Sequence, residues 1–222
     1  MVYRLRPNLT YCVIVGRNIF LDIANGRYFA LPTKLDEIFV RVQTITCVDE
    51  ASSAEINHLC TANLLVGEGE AVEIAGPTLV TPASTDLLSS VTGNKPGIFL
   101  IAWALVEQLF ASLLLHLLPF SLVARLFRHQ GRGGGNALID PVFASLLAQA
   151  FRTAGILLKA EGKCLPRTMA FARACRRRGY DVNLVIGVSI NPFTAHCWAQ
   201  AGDVVLNDTI DRTSNFQPIF IT

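Results

Sequence analysis

Strand-like patterns of hydrophobic residues open the chain. Apolar side chains alternate over 11–15, and two short apolar runs follow at 19–21 and 28–31. The dipeptide Asn25-Gly26 lies between these runs. Both central residues of a type I′ turn need φ > 0, which Asn-Gly adopts readily. The pattern therefore predicts a β-hairpin that turns at Asn25-Gly26.

Helix-like spacing takes over after Pro32. Apolar residues recur every three or four positions over 34–43 and again over 53–66, so two helices are expected there, followed by a short strand over 71–75. Strands with a hairpin, two helices and a short strand within residues 1–80 are the order of a small winged-helix-like domain. A generic α+β module is the alternative that this order leaves open.

The middle of the chain combines a linker-like segment with the most apolar stretch. Proline, glycine, serine and threonine are frequent over 81–97, which is typical of a linker. Residues 98–127 are strongly apolar, but Glu107 ends the first piece after nine residues, and the second piece, 109–124, has sixteen and contains Pro119. Neither reaches the roughly 18 residues that a membrane span needs. We therefore expect two helices that break near Pro119 and are buried in a helical subdomain. A role at a membrane surface is the alternative.

A cysteine at the start of a helix is the first candidate for chemistry. A helix is predicted over 140–160, and Cys164-Leu165-Pro166 then begins another that reaches Arg178, because proline is tolerated in the first turn of a helix. The N–H groups and the dipole at a helix N-terminus favour an anion, and the thiolate is the nucleophilic form of cysteine. The same N–H groups can stabilise the oxyanion of an acyl-transfer intermediate.

Three short strands are expected between residues 181 and 206. His196 lies on the second strand and Asp208 follows the third, so a hairpin would bring the carboxylate beside the imidazole. A thiol, an imidazole and a carboxylate are the groups of a nucleophilic triad. We therefore predict that Cys164 is the nucleophile, that His196 is the base and then the acid, and that Asp208 fixes the imidazole tautomer.

Each of these residues also has an ordinary structural interpretation. A lone cysteine is most often a small core residue, and a lone histidine usually forms structural hydrogen bonds. Cys175 is a weaker nucleophile candidate, because it lies about 16 Å further along the same helix. Cys197 is adjacent to His196 and would point to the opposite face of the strand. Asp203 and Asp211 are weaker partners for the histidine, because turns or loops are expected there.

Composition and charge narrow the class of protein. The chain has 222 residues, 51% of them hydrophobic and 16% charged, which excludes an intrinsically disordered protein. A formal net charge of +2 does not suggest a nucleic-acid-binding protein. The six cysteines include no C-x-x-C pair, and the first residues do not have the pattern of a signal peptide. We therefore expect free thiols in a reducing cytoplasm.

Four short motifs surround the three candidate catalytic residues. They are Lys163-Cys164-Leu165-Pro166-Arg167, Gly187-Val188, Ala195-His196-Cys197-Trp198 and Val205-Leu206-Asn207-Asp208. Together they resemble the transglutaminase-like cysteine peptidases of lasso peptide biosynthesis, the B proteins, over roughly residues 98–222. The resemblance implies that Cys164, His196 and Asp208 carry the catalytic roles of that family.

The resemblance also implies a fold and a substrate. The expected fold class is α+β, with a winged-helix-like recognition domain at 1–80, a linker at 81–97, and a helical segment with a papain- or transglutaminase-like peptidase core at 98–222. The recognition domain would bind the leader of a ribosomally made precursor as an added strand, and the peptidase would then cut the leader off. The strand offered to the leader would consist of Arg27, Tyr28, Phe29, Ala30 and Leu31.

A partner enzyme follows from the same resemblance. A separate asparagine-synthetase-like cyclase would use ATP to close a macrolactam on the amine that leader removal frees. The peptidase itself is expected to hold no cofactor or metal. The glycine-rich run at 131–135 is not interpreted as a phosphate-binding loop, because it lacks the Lys-Ser/Thr ending and the preceding strand. Nucleic acid is not expected as a partner, and membrane association is not favoured.

Two positions qualify the resemblance. Cys197 stands where the family more often has a small residue such as alanine, which leaves a second thiol near the site. The family lacks the upstream glutamine of papain-like oxyanion holes, and Leu158, six residues before Cys164, agrees with that lack. Two other functions stay open: a non-catalytic adaptor that binds the leader and delivers the precursor to a partner enzyme, and a transglutaminase-like acyl transferase.

Overall fold

The computed structural model belongs to the α+β class, as the sequence predicted, and contains both helices and sheets. It divides into two compact units, residues 1–78 and 79–222. The glycine-rich run at 131–135 and the predicted end of the 140–160 helix lie outside the described part of the chain. The structure describes residues 2–45, 47–90, 95–129, 140–158 and 164–222.

The N-terminal unit contains six strands and two helices among its described residues. They are β1 (Val2–Leu5), β2 (Leu9–Ile14), β3 (Arg17–Asp22), β4 (Arg27–Ala30), α1 (Thr33–Gln43), α2 (Glu50–Thr61), β5 (Leu65–Val66) and β6 (Ala71–Val72). Strands β2, β3 and β4 form an antiparallel sheet in that order, and β1 lies between β5 and β6 in a second small sheet. Phe20 and Phe39, which meet edge to face, lie in the core between sheet and helices.

The predicted hairpin forms, but its turn differs from the prediction. Four residues separate β3 from β4, and of these only Gly26 has a positive φ, at 63°. The Asp22 carboxylate accepts the N–H groups of Ala24 and Asn25 and so closes a wider turn than the predicted type I′ turn. The two-residue turn with two positive φ angles lies instead at Val15-Gly16, between β2 and β3.

The second helix is also displaced from its hydrophobic pattern. Asp49 and Ser52 form a capping box, in which each side chain accepts the backbone N–H of the other, so α2 begins earlier than predicted. It ends at Thr61 because Asn63 turns the chain with a φ of 57° and β5 then pairs with β1. The predicted range of 53–66 is therefore wrong at both ends.

The C-terminal unit contains six helices and five strands among its described residues. They are β7 (Thr85–Asp86), α3 (Leu87–Ser90), α4 (Ile98–Leu117), α5 (Phe120–His129), α6 (Pro141–Leu157), α7 (Cys164–Arg176), β8 (Asn183–Ile190), β9 (Phe193–Ala201), β10 (Val204–Val205), α8 (Ile210–Thr213) and β11 (Gln217–Ile221). The strands form one sheet in the order β11-β8-β9-β10-β7. The helix and strands predicted around the candidate triad are confirmed within about two residues, whereas β7, α8 and β11 were not predicted.

Part of the predicted linker belongs to this unit. β7 pairs with β10, and the buried carboxylate of Asp86 accepts the N–H groups of Ser89 and Ile210. Leu87 lies in the main core. Composition favoured a linker over 81–97, but composition does not report strand pairing with a segment more than 100 residues away, and that pairing orders the first part of the segment.

The apolar stretch forms one long helix and then breaks near Pro119, as predicted. α4 runs through Glu107 without interruption, and its carboxylate pairs with Arg173 of α7 at 3.6 Å and with Arg177, the residue after α7, at 2.7 Å. Glu107 interrupts the apolar run but not the helix, because glutamate is itself a good helix former. The prediction that both pieces are too short for a membrane span is therefore wrong. By length and composition alone the 20 residues of α4 would suffice, and 17% of its most apolar window is buried.

Helix α7 covers one face of strand β9. Ala199 of β9 packs in the same core as Phe171 of α7, whereas Trp198 belongs to a separate cluster on the other face of the sheet. Since side chains alternate along a strand, Cys197 shares the face of Ala199 and His196 shares that of Trp198. The candidate site is assembled around this part of β9.

Candidate active site

Cys164 is the first residue of α7, as the sequence predicted. Pro166 lies in the first turn, where its missing N–H breaks no helical hydrogen bond. The first N–H groups of a helix have no partner within the helix, so those of Cys164 and Leu165 are not used by α7 itself. The thiol is half-buried.

Near the middle of β9, side chains and a loop form hydrogen bonds with the strand edge that faces away from β8. β10 pairs with β9 at Gln200 and Ala201. Further along, the N–H of Ala199 donates to Asn207 Oδ1 at 2.7 Å, and the Ala199 carbonyl accepts the N–H of Leu206 at 2.9 Å. Both backbone groups of Ala199 therefore point away from β8.

The sulfur of Cys164 lies at this edge. Residues two apart on a strand point their backbone groups in the same direction. The carbonyl of Cys197 accepts Thr168 Oγ1 at 3.1 Å, and the N–H of Cys197 donates to the Cys164 sulfur. From the edge, the sulfur reaches both faces of β9, because it hydrogen-bonds with the Cys197 thiol and the His196 imidazole. Asn207 Nδ2 donates to Thr168 Oγ1 at 3.0 Å and so ties α7 to the same edge.

His196 and Asp208 form a short hydrogen bond in the interior. His196 Nε2 and Asp208 Oδ2 are 2.6 Å apart, and the two residues are 4% and 7% exposed. Asp208 Oδ1 accepts the N–H of Thr209 at 2.9 Å, so both carboxylate oxygens are engaged. Because Nε2 is held by Asp208, Nδ1 is the ring nitrogen left for the sulfur of Cys164.

Hydrogen-bond donors lower the pKa of the Cys164 thiol to about 4. The hydrogen bond from the Cys197 thiol contributes most. Burial opposes ionisation, while the hydrogen bond and charge of His196 and the N–H of Cys197 favour it. At Cys197 itself, burial and the neighbouring Cys164 thiolate raise the pKa well above its ordinary value. Cys164 is therefore the ionised thiol at neutral pH, and Cys197 is its protonated donor.

The same neighbours favour the charged form of His196. Burial works against the imidazolium, but the hydrogen bonds with Asp208 and Cys164 outweigh it, and the pKa of His196 is raised. Burial also works against the Asp208 carboxylate, yet the hydrogen bonds from His196 and from the N–H of Thr209 hold the pKa of Asp208 below its ordinary value. The site thus favours the charged forms of Cys164, His196 and Asp208, each of which lowers the cost of ionising its neighbour.

Aromatic rings hold the imidazole in place. The ring centroids of Phe216 and Trp198 lie 5.1 and 6.4 Å from that of His196. Gly187 of β8 pairs with His196, and a Cβ at Gly187 would lie 2.8 Å from Phe216 and 2.9 Å from the Trp198 ring. Only glycine leaves room for the rings that surround the imidazole.

The three residues predicted for the triad meet at one place. The prediction for Cys197 is correct only in part. Its side chain points to the face opposite His196, as alternation predicted. Its thiol nevertheless contacts Cys164, because the Cys164 sulfur lies at the strand edge between the two faces. Cys175 is fully buried in the core, and burial raises the pKa of its thiol to about 12. The arrangement can supply a sulfur nucleophile and a proton donor to one reacting carbonyl group.

The residues predicted to bind a leader lie in the N-terminal unit. They form β4 and the residue after it, and β4 is a terminal strand of its sheet. Tyr28 and Phe29 are half-buried, Arg27 and Ala30 are exposed, and Leu31 is 5% exposed. Leu31 is therefore a core residue, and its carbonyl accepts the Arg17 side chain at 2.9 Å.

Sequence reasoning missed four supporting residues and the role of the strand edge. Gly187 and Asn207 belong to the short motifs around the triad, so a sequence signal existed for these two residues. Nothing in the sequence pointed to Thr168 or Phe216. Within the described residues, no group of three His, Cys, Asp or Glu side chains could hold a metal ion.

Comparisons with known proteins find a family match and a similar protein. The Transglutaminase-like superfamily matches residues 109–221, which include all of α7, β8, β9 and the Asp208 loop. The Microcin J25-processing protein McjB of Escherichia coli is 42% identical over 45 residues, which are 20% of this chain. The aligned part spans 22% of that relative. No solved structure matches.

Proposed function

The chain belongs to the transglutaminase-like superfamily, and from this premise we propose that it is a cysteine peptidase that removes the leader from a ribosomally made lasso precursor peptide. Cys164 is the nucleophile, His196 the acid and base, and Asp208 the group that orients the imidazole. One observation carries the proposal: the His196 imidazole lies 2.6 Å from the buried Asp208 carboxylate and, by its hydrogen bond and charge, helps to lower the pKa of the Cys164 thiol.

Acylation begins when the Cys164 thiolate attacks the carbonyl carbon of the scissile peptide bond. A C–S bond forms, and the carbonyl electron pair moves onto oxygen. The N–H groups of Cys164 and Leu165 at the start of α7 are suited to stabilise this oxyanion. The C–N bond then breaks as the His196 imidazolium gives its proton to the leaving amine. The products are a thioester on Cys164 and the free amine of the core peptide.

Deacylation uses water. Neutral His196 takes a proton from a water molecule, whose oxygen attacks the thioester carbonyl. The C–S bond breaks, the leader leaves as a carboxylic acid that loses its proton to solvent, and the Cys164 thiolate returns beside a protonated His196. Asp208 keeps Nδ1 directed towards the sulfur and favours the imidazolium in both steps.

The N-terminal unit is the proposed leader-binding domain. Its three-stranded sheet followed by two helices is compatible with a winged-helix-like recognition element. The leader would pair with β4, the terminal strand, and Arg27, Tyr28, Phe29 and Ala30 would contact it. Leu31 would support this strand from the core, because it is buried.

The pathway assigns the chain two partners. One is the leader region of a precursor peptide; the other is an asparagine-synthetase-like cyclase that uses ATP and closes a macrolactam on the released amine. The name of the Escherichia coli relative, which refers to the processing of a microcin, supports a peptide substrate. The proposed compartment is the cytoplasm, which suits six free cysteines.

Cleavage of a cognate precursor tests the proposal. The wild-type chain is expected to release a leader and a core peptide, which mass spectrometry identifies. Cys164→Ala should not cleave but should still bind the leader, as measured by fluorescence anisotropy. Cys47→Ala is the matched control, because Cys47 is an exposed thiol of the N-terminal unit. If Cys164→Ala retained cleavage, the proposed nucleophile would be wrong.

The products also separate the two alternative functions. An acyl transferase would form the same thioester but pass the acyl group to an amine, so the product mass would show a crosslink rather than the addition of water. A non-catalytic adaptor would bind the leader and yield neither product. It would also show no fast reaction of Cys164 with iodoacetamide at pH 5, where the proposed thiolate is already formed.

A further inference from the structure

A cavity of about 240 Å³ opens beside Asp208. Arg152, Arg167 and Arg212 line it, and they come from α6, α7 and α8. Three different helices therefore each contribute one arginine to the lining of this cavity. The proposed peptidase mechanism uses none of these three side chains.

The three cavity arginines have no carboxylate partner of their own in the described part of the chain. Within the described residues, none of the three forms a salt bridge. The carboxylate that lines the cavity is that of Asp208, and both of its oxygens are engaged by His196 and Thr209. Arginines that do form salt bridges elsewhere are Arg6 with Asp22, Arg41 with Glu55, and Arg173 and Arg177 with Glu107.

The cavity is thus lined by three arginines and one carboxylate, and the charge of Arg212 helps to lower the pKa of that Asp208 carboxyl. An oxyanion placed among the arginines would reduce their mutual repulsion and accept paired N–H groups, because a guanidinium matches a carboxylate or phosphate with two parallel hydrogen bonds. The rest of the lining includes Leu88, Ala148 and Phe151. These apolar side chains suit a ligand that carries its charge on a short hydrocarbon stem.

We propose that this cavity is a binding site for an oxyanion, a carboxylate or a phosphoryl group, held by Arg152, Arg167 and Arg212. Arg167 follows Cys164 by three residues, so it lies about 5 Å further along the helix axis, and a ligand here sits close to the reacting sulfur. The apolar lining favours an acidic side chain of the precursor over a free phosphate. That choice of source rests on the proposed function, whereas oxyanion binding does not.

Binding of inorganic pyrophosphate to the full chain tests the site without any cleavage. Titration calorimetry at constant ionic strength compares the wild type with Arg152→Gln/Arg212→Gln, whose two positions are exposed and should tolerate the change. Saturable binding is expected in the wild type, and affinity at least tenfold weaker in the double variant. Arg125→Gln, an exposed residue of α5, is the matched control and should bind as the wild type does.

A second arm identifies the source of the oxyanion. Each acidic residue of a cleaved precursor is replaced in turn by its amide, and KM is measured. One position should raise KM at least fivefold with the wild type and have no effect with the double variant. Pyrophosphate binding without such a position would support a free anion as the ligand. Absence of both effects, or equal pyrophosphate affinity in the wild type and the double variant, would overturn the proposal even if Cys164-dependent cleavage were demonstrated.

Discussion

Helix α7 carries a cysteine near each end, and the two thiols are in opposite states. The pKa of Cys164, the first residue, is lowered to about 4, whereas that of Cys175, one residue before the last, is raised to about 12. Burial favours the neutral thiol at both positions. At Cys175 it dominates, and the charge of Arg176 opposes it. At Cys164 it is outweighed by donors from Cys197 and His196.

The difference shows that position on the helix is only part of the explanation. A helix start favours a thiolate, but the groups that contribute most at Cys164 lie on β9, and Asp208 supports one of them from a loop. Cys175 instead contacts the core formed with α4 and α6. The residues that each end of α7 packs against therefore decide the ionisation state of the cysteine there.

Replacement of the Cys164 sulfur should have the largest effect, and replacement of the Cys175 sulfur provides the comparison. Cys164→Ser replaces an ionised thiol by a neutral hydroxyl, and we expect kcat/KM for precursor cleavage to fall about 10⁴-fold or more. Cys175→Ala should keep the kcat of the folded protein and lower the free energy of unfolding by about 1 kcal/mol. Steady-state kinetics and urea unfolding measure the two quantities. Equal losses of activity would remove the distinction between the two ends.

Removal of the carboxylate behind His196 should be nearly as severe. Asp208→Asn no longer supports the imidazolium, so kcat should fall about 10²- to 10⁴-fold. Since Asp208 raises the pKa of His196, the alkaline limb of the kcat/KM profile should move to lower pH. Asp203→Asn, an exposed turn residue, serves as the control and should leave the profile unchanged. An unchanged profile in Asp208→Asn would mean that another group orients the imidazole.

The Cys197 thiol should tune Cys164 without being essential. In Cys197→Ala the thiolate loses a donor, so the pKa of Cys164 should rise and alkylation by iodoacetamide at pH 5 should slow about 10- to 100-fold. Cys197→Ser retains a donor and should restore most of the rate. Equal alkylation profiles in wild type and Cys197→Ala would show that His196 and the helix start suffice.

A methyl group at Gly187 should disturb the imidazole from the opposite strand. Gly187→Ala forces Phe216 or Trp198 to move, and the displaced His196 should lower kcat about tenfold. Overpacking should also cost about 1–3 kcal/mol of unfolding free energy. Gly76→Ala is the control, because a Cβ there meets nothing within 4 Å. Normal kcat in Gly187→Ala would mean that the rings do not position the imidazole.

The opposite states of the two thiols should also make them link stability to pH in opposite directions. An unfolded thiol has a pKa of about 8.5. Cys164 has a lower pKa when folded, so its contribution to stability is full above pH 8.5 and is lost as pH falls towards 4. Cys175 has a higher pKa when folded, so its contribution is full below pH 8.5 and is lost as pH rises towards 12.

Urea unfolding across this range measures the two linkages. The stability difference between wild type and Cys164→Ala should shrink towards acid, and that between wild type and Cys175→Ala should shrink towards alkali. Parallel curves for the two variants would contradict the assigned states of the thiols.

Local patterns predicted most of the elements but not all of their limits. Alternation predicted β8 and β9, and Pro166 predicted the start of α7. The predicted end of α2 failed because apolar residues continue from the helix into β5, so periodicity alone shows no boundary there. β7 was missed because it is two residues long and exists only through its pairing with β10.

The candidate site could likewise be predicted only in part. Order along the chain was enough to select Cys164, His196 and Asp208, since a helix start and a hairpin are local structures. The contacts of Thr168, Asn207 and Phe216 were not accessible, because each joins segments whose approach depends on the packing of the whole sheet.

By itself, the sequence determined that a cysteine begins a helix and that His196 and Cys197 point to opposite faces of a strand, because both follow from local backbone geometry. Only the tertiary structure decided that the sulfur lies at the open edge of that strand, within reach of both side chains, and that three arginines from three helices share one cavity. Such contacts depend on how helices pack on the sheet, which is decided by the buried surface of the entire unit rather than by neighbours along the chain.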